Sequence, residues 1–296
     1  MAEKIALIGA GAMGGAIGTR LLETGNELHV FDLDADRVAV LVEKGGSAAQ
    51  TAADAAAQAD FVIMSLNAPQ IVERAAFGVD GILDGARAGT VIIDMSSIDP
   101  AATRDFAARA AERGLAWVDS PLSGGAPKAL LGELTLMAGG AAQDVERAHV
   151  ALRHVASNYT HMGPSGAGQT TKLINQVLCG LGFLAVAEAT RLAQDAGVDA
   201  AKIPQALKGG RADSALLQEY LPRFATKDYR RTGRIDNMVK DLNAVNDLAR
   251  QTGTSMPMTA LCGEIPRMLT SAGLGGEDQA AVMEFFDGAK TPIDAG

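Results

Sequence analysis

Apolar and polar positions follow two alternating rhythms as far as about residue 164 and a single rhythm beyond it. The apolar run KIALI at 4–8 leads into Gly9, Gly11 and Gly14, and then Met13, Ile17 and Leu21 recur every fourth residue up to Gly25. This pattern predicts a strand, a glycine turn and a helix. ELHVF, which runs into Asp32, predicts a second strand, followed by a helix over 35–44 and a small-residue helix from Thr51. Further apolar runs predict strands at 60–66 (DFVIMSL), 90–95 (TVIIDM), 115–120 (LAWVDS) and 133–139 (ELTLMAG). A helix is expected from Pro100, a loop after Ser120, a helix over 141–153 and a short strand near Tyr159–Met162. The series reads as βαβ units building a doubly wound parallel sheet, hence an α/β fold. After the breakers of His161–Gly166 every segment has helical period: 168–196, 199–208, 214–222, 236–252, 257–272 and 276–286. The expected organisation is therefore an α/β domain over 1–164, an all-helical domain over 165–290 and a tail over 291–296.

Composition narrows the class. The chain is 48% hydrophobic but only 4% aromatic, with 34 glycines, which suits close helix packing on buried parallel strands. A formal net charge of −9 with no basic run excludes the electrostatic footprint of a nucleic-acid binder. The N-terminus runs directly into a strand and no uninterrupted apolar run reaches membrane-spanning length, so a soluble cytoplasmic protein with no membrane partner is expected. Cys179 and Cys262 lack metal or redox spacing and read as reduced packing residues. His29, His149, His154 and His161 are scattered, so no metal site is expected.

Three stretches carry candidate chemistry. Gly9, Gly11 and Gly14, with Ala12 and Met13 between, form a GxGxxG directly after a strand and at the start of a helix. The first glycine permits the tight turn, the second admits a pyrophosphate, and the third lets helix and strand approach. Asp32 closes the next strand, where a carboxylate accepts from ribose hydroxyls and repels a 2′-phosphate, which favours NAD, with NADP left open by Arg37 nearby. Asp119-Ser-Pro-Leu-Ser123-Gly124-Gly125 follows another strand, and its small residues expose backbone amides suited to a substrate carboxylate. Lys172, Asn175 and Gln176 share one face of the long helix beginning near Gly166. An ammonium there among Leu173, Ile174, Val177 and Leu178 would be desolvated and able to exchange protons near neutrality, while spacing alone equally describes a lysine snorkelling from an amphipathic helix. By itself, Lys240-Asp241 reads as a solvated surface pair.

Together these stretches resemble the β-hydroxyacid dehydrogenase family, which includes 3-hydroxyisobutyrate dehydrogenase and tartronate semialdehyde reductase. The family's GxGxMG is matched by Gly9–Gly14, its DxPxSGG by Asp119–Gly125, its GxxxKxxNQ by Gly168, Lys172, Asn175 and Gln176, and its KDL by Lys240–Leu242. The resemblance implies a Rossmann-type domain joined by the long helix to an all-helical domain, in a homodimer or homotetramer. It implies that Lys172 is the catalytic acid/base and that Asn175 positions the substrate, with Gln176 beside it. Ser123, Gly124 and Gly125 would hold the substrate carboxylate. Ser97 and Lys240 would meet the nicotinamide end of the cofactor, and Leu66 and Asn67 would line its path. Asn67 stands where proline is usual, as in the L-threonate dehydrogenase branch; Arg234 replaces a phenylalanine, and Leu33 an arginine. Imine reductases share the implied architecture but lack the lysine, and a dinucleotide sensor would have lost Lys172 or Asn175.

Overall fold

The computed structural model describes residues 2–287, so the expected tail at 291–296 lies outside the described residues. The chain separates into two compact units, Met1–Lys172 and Leu173–Gly296.

The first unit runs β1 (Lys4–Ile8), α1 (Ala12–Glu23), β2 (Glu27–Phe31), α2 (Ala35–Val42), β3 (Ser47–Ala48), α3 (Ala52–Ala57), β4 (Phe61–Met64), α4 (Pro69–Phe77) and α5 (Ile82–Gly85). It continues with β5 (Val91–Asp94), α6 (Pro100–Glu112), β6 (Ala116–Asp119), β7 (Leu122–Ser123), α7 (Gly125–Leu131), β8 (Leu134–Gly139), α8 (Ala142–Leu152) and β9 (Ala156–Gly163). The strands form one sheet in the order β3-β2-β1-β4-β5-β6-β8-β7, with β9 beside β8. Pairing is parallel from β3 to β6, and β8 runs antiparallel to β6 and β7. Because the order turns back between β1 and β4, a crevice opens at their carboxyl ends, where such sheets bind ligands.

Side-chain alternation divides the core between the two faces of this sheet. Ile5 and Leu7 join Ile17 and Leu21 of α1, Leu41 of α2 and Val145 of α8 on one face. Ala6 and Ile8 join Ala55 of α3, Val72 of α4 and Phe106 of α6 on the other. Coverage on both faces explains why β4 and β5 read as unbroken apolar runs.

Several boundaries differ from the sequence reading. The strand expected over 60–66 stops at Met64, which frees Ser65 and Leu66 as loop. The segment expected as loop after Ser120 holds β7 and α7, since Gly124 at φ 125° turns the chain into a helix that Gly132 closes at φ 74°. The helices α4 and α5 were not anticipated; α4 starts at Pro69 and presents only Val72 and Ala76 as buried positions, too short a stripe to signal periodicity.

Helix α9 (Ala167–Asp195) continues through the division between the units and supplies the core of the second. There Phe183, Leu184 and Ala187 pack with residues of α11 (Ala215–Thr226), α12 (Ile235–Thr252) and α13 (Pro257–Leu269); the short helices α10 (Ile203–Leu207) and α14 (Met283–Phe286) complete the unit. By length and composition α9 is long and apolar enough to cross a membrane, which the sequence reading did not expect; 39% of its most apolar 18-residue window is buried, and Phe183, Leu184, Val186 and Ala187 lie in the core of the second unit. The expected stop of α11 at Pro222 is overridden: the helix runs on to Thr226 because the fully buried Phe224 anchors its last turn.

Candidate active site

The turn after β1 is shaped by three glycines with different duties. Gly9 has φ +95°, its amide donates to the Phe31 carbonyl at 2.9 Å, and a Cβ there would sit 2.6 Å from the Ser65 carbonyl oxygen. A Cβ at Gly14 would overlap the carbonyl oxygen of Gly9, so this glycine lets α1 lie against β1. At Gly11 the nearest atom to an added Cβ is a guanidinium nitrogen of Arg37, 3.8 Å away, so the turn stays open. The first turn of α1 contains no acidic residue, and no side chain caps it. Its amides and positive dipole end therefore suit a dinucleotide pyrophosphate, and Gly9, Gly11, Ala12, Met13 and Gly14 lie in this turn and the first helical turn.

Asp32 is fixed at the end of β2 by two amides: Oδ2 accepts from Ala10 N at 2.6 Å and Oδ1 from Asp34 N at 2.9 Å. This carboxylate is thus part of the phosphate turn as well as a candidate ribose acceptor. Arg37 pairs with Asp34 at 3.0 Å and stands 4.0 Å from Asp32.

Further along the carboxyl edge, the loops after β4 and β5 are tied together. Leu66 N donates to Ser96 Oγ at 3.0 Å, and Ser96 N donates to Asp94 Oδ1 at 3.0 Å. Ser97 follows, half-buried, whereas Asn67 is exposed. Burial pushes the Asp94 carboxyl up to about 7, against the lowering effect of its Ser96 hydrogen bonds, and the charge of Asp119 adds to the rise.

Asp119 does structural work that its motif does not reveal. Its Oδ1 accepts from Gly166 N at 2.9 Å and its Oδ2 from Gln169 N at 3.0 Å, so it caps the start of α9. Burial raises its pKa, while these amides act in the opposite sense. The approach is close enough to require glycine on both sides: a Cβ on Gly139 would lie 2.6 Å from Asp119 Oδ1, and one on Gly168 would lie 2.7 Å from the Asp119 carbonyl oxygen. The strand end that begins the DxPxSGG segment therefore fixes the helix that carries Lys172. Ser123 is half-buried in β7, and Gly124 (φ +125°) and Gly125 (φ +70°) are exposed beside it in a backbone form suited to glycine.

Lys172 is half-buried. The apolar surround expected for it does not form, because Ile174 and Leu178 are 56% and 69% exposed and only Leu173 of the four named neighbours is buried. In the second unit Asn175 Nδ2 donates to Gln176 Oε1 at 2.8 Å, and Gln176 Nε2 donates to the Asp241 carboxylate. Leu242 is buried against Gly180, where an added Cβ would come within 3.0 Å of it. Asp241 is accordingly not the solvated surface residue that the isolated pair suggested, although Lys240 itself is exposed. Arg234 is exposed and paired with Asp236. Among the described residues no group of three His, Cys, Asp or Glu is placed to hold a metal ion. Two residues passed over in the sequence, Ser96 and Gln169, prove central to the buried network. A serine after a strand and a glutamine in a helix carry no spacing signal.

Residues 4–163 match the family model described as the NAD-binding domain of 6-phosphogluconate dehydrogenase. Residues 166–286 match the one described as the NAD-binding domain of NADP-dependent 3-hydroxyisobutyrate dehydrogenase. An NAD-dependent L-serine dehydrogenase of Pseudomonas aeruginosa is 36% identical, covering 96% of this chain and 98% of that protein. An L-threonate dehydrogenase of Cupriavidus necator is 32% identical, with 99% of each chain covered. The solved structure of Mycobacterium tuberculosis 3-hydroxyisobutyrate dehydrogenase with L-serine superposes with a TM-score of 0.87 at 28% identity, over 97% of this chain and 99% of that one. With an open glycine turn, an amide-anchored aspartate at the end of β2 and a lysine-bearing helix docked at the sheet's carboxyl edge, and with relatives matched from end to end, the chain belongs to the β-hydroxyacid dehydrogenase family of NAD(P)-dependent oxidoreductases.

Proposed function

We propose that this enzyme interconverts a small 3-hydroxy acid and its semialdehyde, with Lys172 as general acid/base. The observation that carries the reading is the docking of the Lys172 helix, through Asp119, onto the same sheet edge as the glycine turn and the Ser123–Gly125 segment. Bound NAD or NADP supplies the hydride acceptor in oxidation, and its reduced form the donor in reduction. The first turn of α1 binds the pyrophosphate, while Leu66, Asn67 and Ser97 line the way along the edge; Lys240 is assigned to the cofactor from its motif alone. The Ser123 hydroxyl and the Gly124 and Gly125 amides bind the substrate carboxylate. Lys172 takes the hydroxyl proton in oxidation and returns it in reduction. Asn175, one helical turn on, orients that hydroxyl, and Gln176, anchored on Asp241, keeps Asn175 in place.

NAD is the preferred cofactor in this reading, since a 2′-phosphate would be set against the doubly anchored Asp32 while Arg37 is engaged with Asp34. The relatives' names support L-serine and 3-hydroxyisobutyrate, whose primary 3-hydroxyl oxidises to a semialdehyde, as first candidates, and tartronate semialdehyde, the D-glycerate couple, fits the same description; L-threonate, whose inner hydroxyls oxidise to a ketone, is the alternative. The functional unit is a homo-oligomer in which a second copy covers the exposed Ile174, Leu178 and Leu192 of α9 and Met258 and Leu261 of α13. The test is a rate panel at 340 nm with these acids and both cofactors, for the wild type and Lys172→Ala. A rate with one acid that falls at least about 100-fold in Lys172→Ala, with NADH binding retained, is the expected outcome. Lys172→Ala turnover within about tenfold of wild type would overturn the acid/base assignment.

A further inference from the structure

Gln169 is 1% exposed, and its side-chain amide spans the turn that carries Ser97. Its Nε2 donates to the Ser96 carbonyl oxygen at 2.7 Å, and its Oε1 accepts from Ile98 N at 3.2 Å. The two bonds therefore grip the backbone on either side of Ser97. From the other direction the same turn is held by Ser96, whose hydroxyl accepts from Leu66 N and whose amide donates to Asp94. Gln169 in turn cannot shift along the sheet, because its own amide is fixed on Asp119. Three residues further on the same helix comes Lys172, so the two side chains lie one turn apart on neighbouring parts of one face.

The strand order gives this clamp a meaning. The pyrophosphate site is at β1, and Asp32 places the adenosine ribose on the β2 side. The other half of a dinucleotide must extend the opposite way, over β4 to β5, two strand spacings or roughly 10 Å from β1. That brings its nicotinamide end to the Ser97 turn, with Asp119 and the start of α9 on the next strand. Hydride transfer and proton transfer to one carbinol are sensitive to the separation of the two donors, and misplacement by an ångström costs rate steeply.

We propose that Gln169 is a positioning residue that fixes the nicotinamide-binding turn around Ser97 to the first turn of α9 and so sets its distance from Lys172. The inference rests on the reading of Lys172 as acid/base and Ser97 as a cofactor contact. It adds a residue whose amide touches neither substrate nor cofactor and acts through backbone on both sides.

The test uses the full-length protein with Gln169→Met, which removes both bonds at nearly constant volume, and Gln169→Glu, which retains an acceptor for Ile98 N but loses the donor to Ser96 O. Binding of NADH and of ADP-ribose, which lacks the nicotinamide, is measured by calorimetry. Gln169→Met is expected to weaken NADH about 5- to 20-fold and leave ADP-ribose within about twofold, with Gln169→Glu intermediate. Ser97→Ala should act in the same direction, and the Ser97→Ala/Gln169→Met pair should fall short of additivity. With the best acid of the panel, kcat per NADH-titrated site should fall at least about tenfold while KM moves less than about threefold, and the deuterium isotope effect on hydride transfer should rise. A purely structural role would lower the melting temperature and the active fraction but leave the NADH to ADP-ribose ratio and the per-site isotope effect unchanged, and that result overturns the proposal. If Lys172→Ala keeps wild-type turnover, the acid/base reading falls and this inference falls with it. If Lys172→Ala is inactive and both Gln169 variants match the wild type in all these ratios, this inference alone falls.

Discussion

Individual carboxylates in this enzyme are set by what holds them. Asp32 accepts from Ala10 and Asp34 amides, so its charge can be removed without removing the acceptor. In Asp32→Asn the amide oxygen still receives Ala10 N while the repulsion of a 2′-phosphate disappears. The ratio of kcat/KM for NADP over NAD is therefore expected to rise at least about tenfold, read by initial rates with both cofactors, and an unchanged ratio would remove Asp32 as the discriminating charge. Asp94 behaves differently, because burial raises its carboxyl to about 7 from an ordinary value near 4. A raised carboxyl favours the folded state when protonated. Its stabilising contribution is thus complete below the unfolded-state value and is lost as pH rises through about 7. Asp119, raised by the same cause, acts in the same direction. The melting temperature should fall between pH 5 and pH 8 in the wild type, and Asp94→Asn, which keeps the acceptor for Ser96 N, should flatten that slope; scanning calorimetry across pH decides it.

At the level of elements, the decisive event is the landing of α9 on the sheet. Asp119 receives two amides of its first turn, and Gly139 and Gly168 allow backbone to meet backbone there. In Gly168→Ala the added methyl has nowhere to go, since the carbonyls of Met137 and Asp119 are fixed in β8 and β6. Overpacking of this kind costs about 1–3 kcal/mol, and here the displacement moves Lys172 relative to Ser123 and Ser97. The expected result is a turnover loss larger than the stability loss: soluble protein with a melting temperature lowered by several degrees and kcat down at least about 100-fold. Retained activity in a protein with the lowered melting temperature would show that this docking does not set the active geometry. The second unit repeats the logic at lower cost, with Leu242 of α12 seated on Gly180 and Asp241 receiving Gln176.

At the scale of the whole molecule, the exposed apolar side chains are the feature that bears on the proposed assembly. On α9 the exposed Ile174 and Leu178, with Leu181 and Ala185 after them, recur at four- and three-residue steps, and the exposed Leu192 follows two turns further along the same stripe. On α13 the exposed Met258, Leu261 and Met268, with the half-buried Ile265 between the last two, recur at three- and four-residue steps. The two helices share one core, in which Phe183 and Leu184 of α9 and Leu269 of α13 are buried and the half-buried Cys262 of α13 packs against them. In the proposed homo-oligomer these stripes form the subunit contact surface. Leu178→Asp, lying outside the clustered polar groups, is expected to lower the assembly state seen by sedimentation velocity at micromolar concentration, while a single chain folds as before. An unchanged sedimentation coefficient would remove this face from the interface.

Much of this was legible from local order. The glycine turn, the strand succession and the change to pure helical period after the breakers at 161–166 are near-neighbour patterns, and each reflects φ/ψ freedom or side-chain period that a residue carries with it. The candidate groups were legible as motifs for the same reason, since GxGxxG, KxxNQ and KDL each lie within one turn or helix and DxPxSGG is a continuous run from the end of β6 to the start of α7. What holds those pieces in register depends on contacts across long separations, which no spacing announces. Asp119 reads as the first residue of a substrate loop until Gly166 and Gln169 are found on its carboxylate. Lys172 reads as enclosed by apolar neighbours until Ile174 and Leu178 are seen to face outward. Gln169 reads as nothing at all until its amide meets both ends of the Ser96–Ile98 turn. The sequence by itself determined the elements, their order and the chemical groups, because those follow from local backbone preference and composition. The tertiary structure alone decided which carboxylates cap helices, which face of α9 is buried and which residue ties the Ser96–Ile98 turn to α9, because burial and hydrogen-bond pairing exist only once distant segments meet.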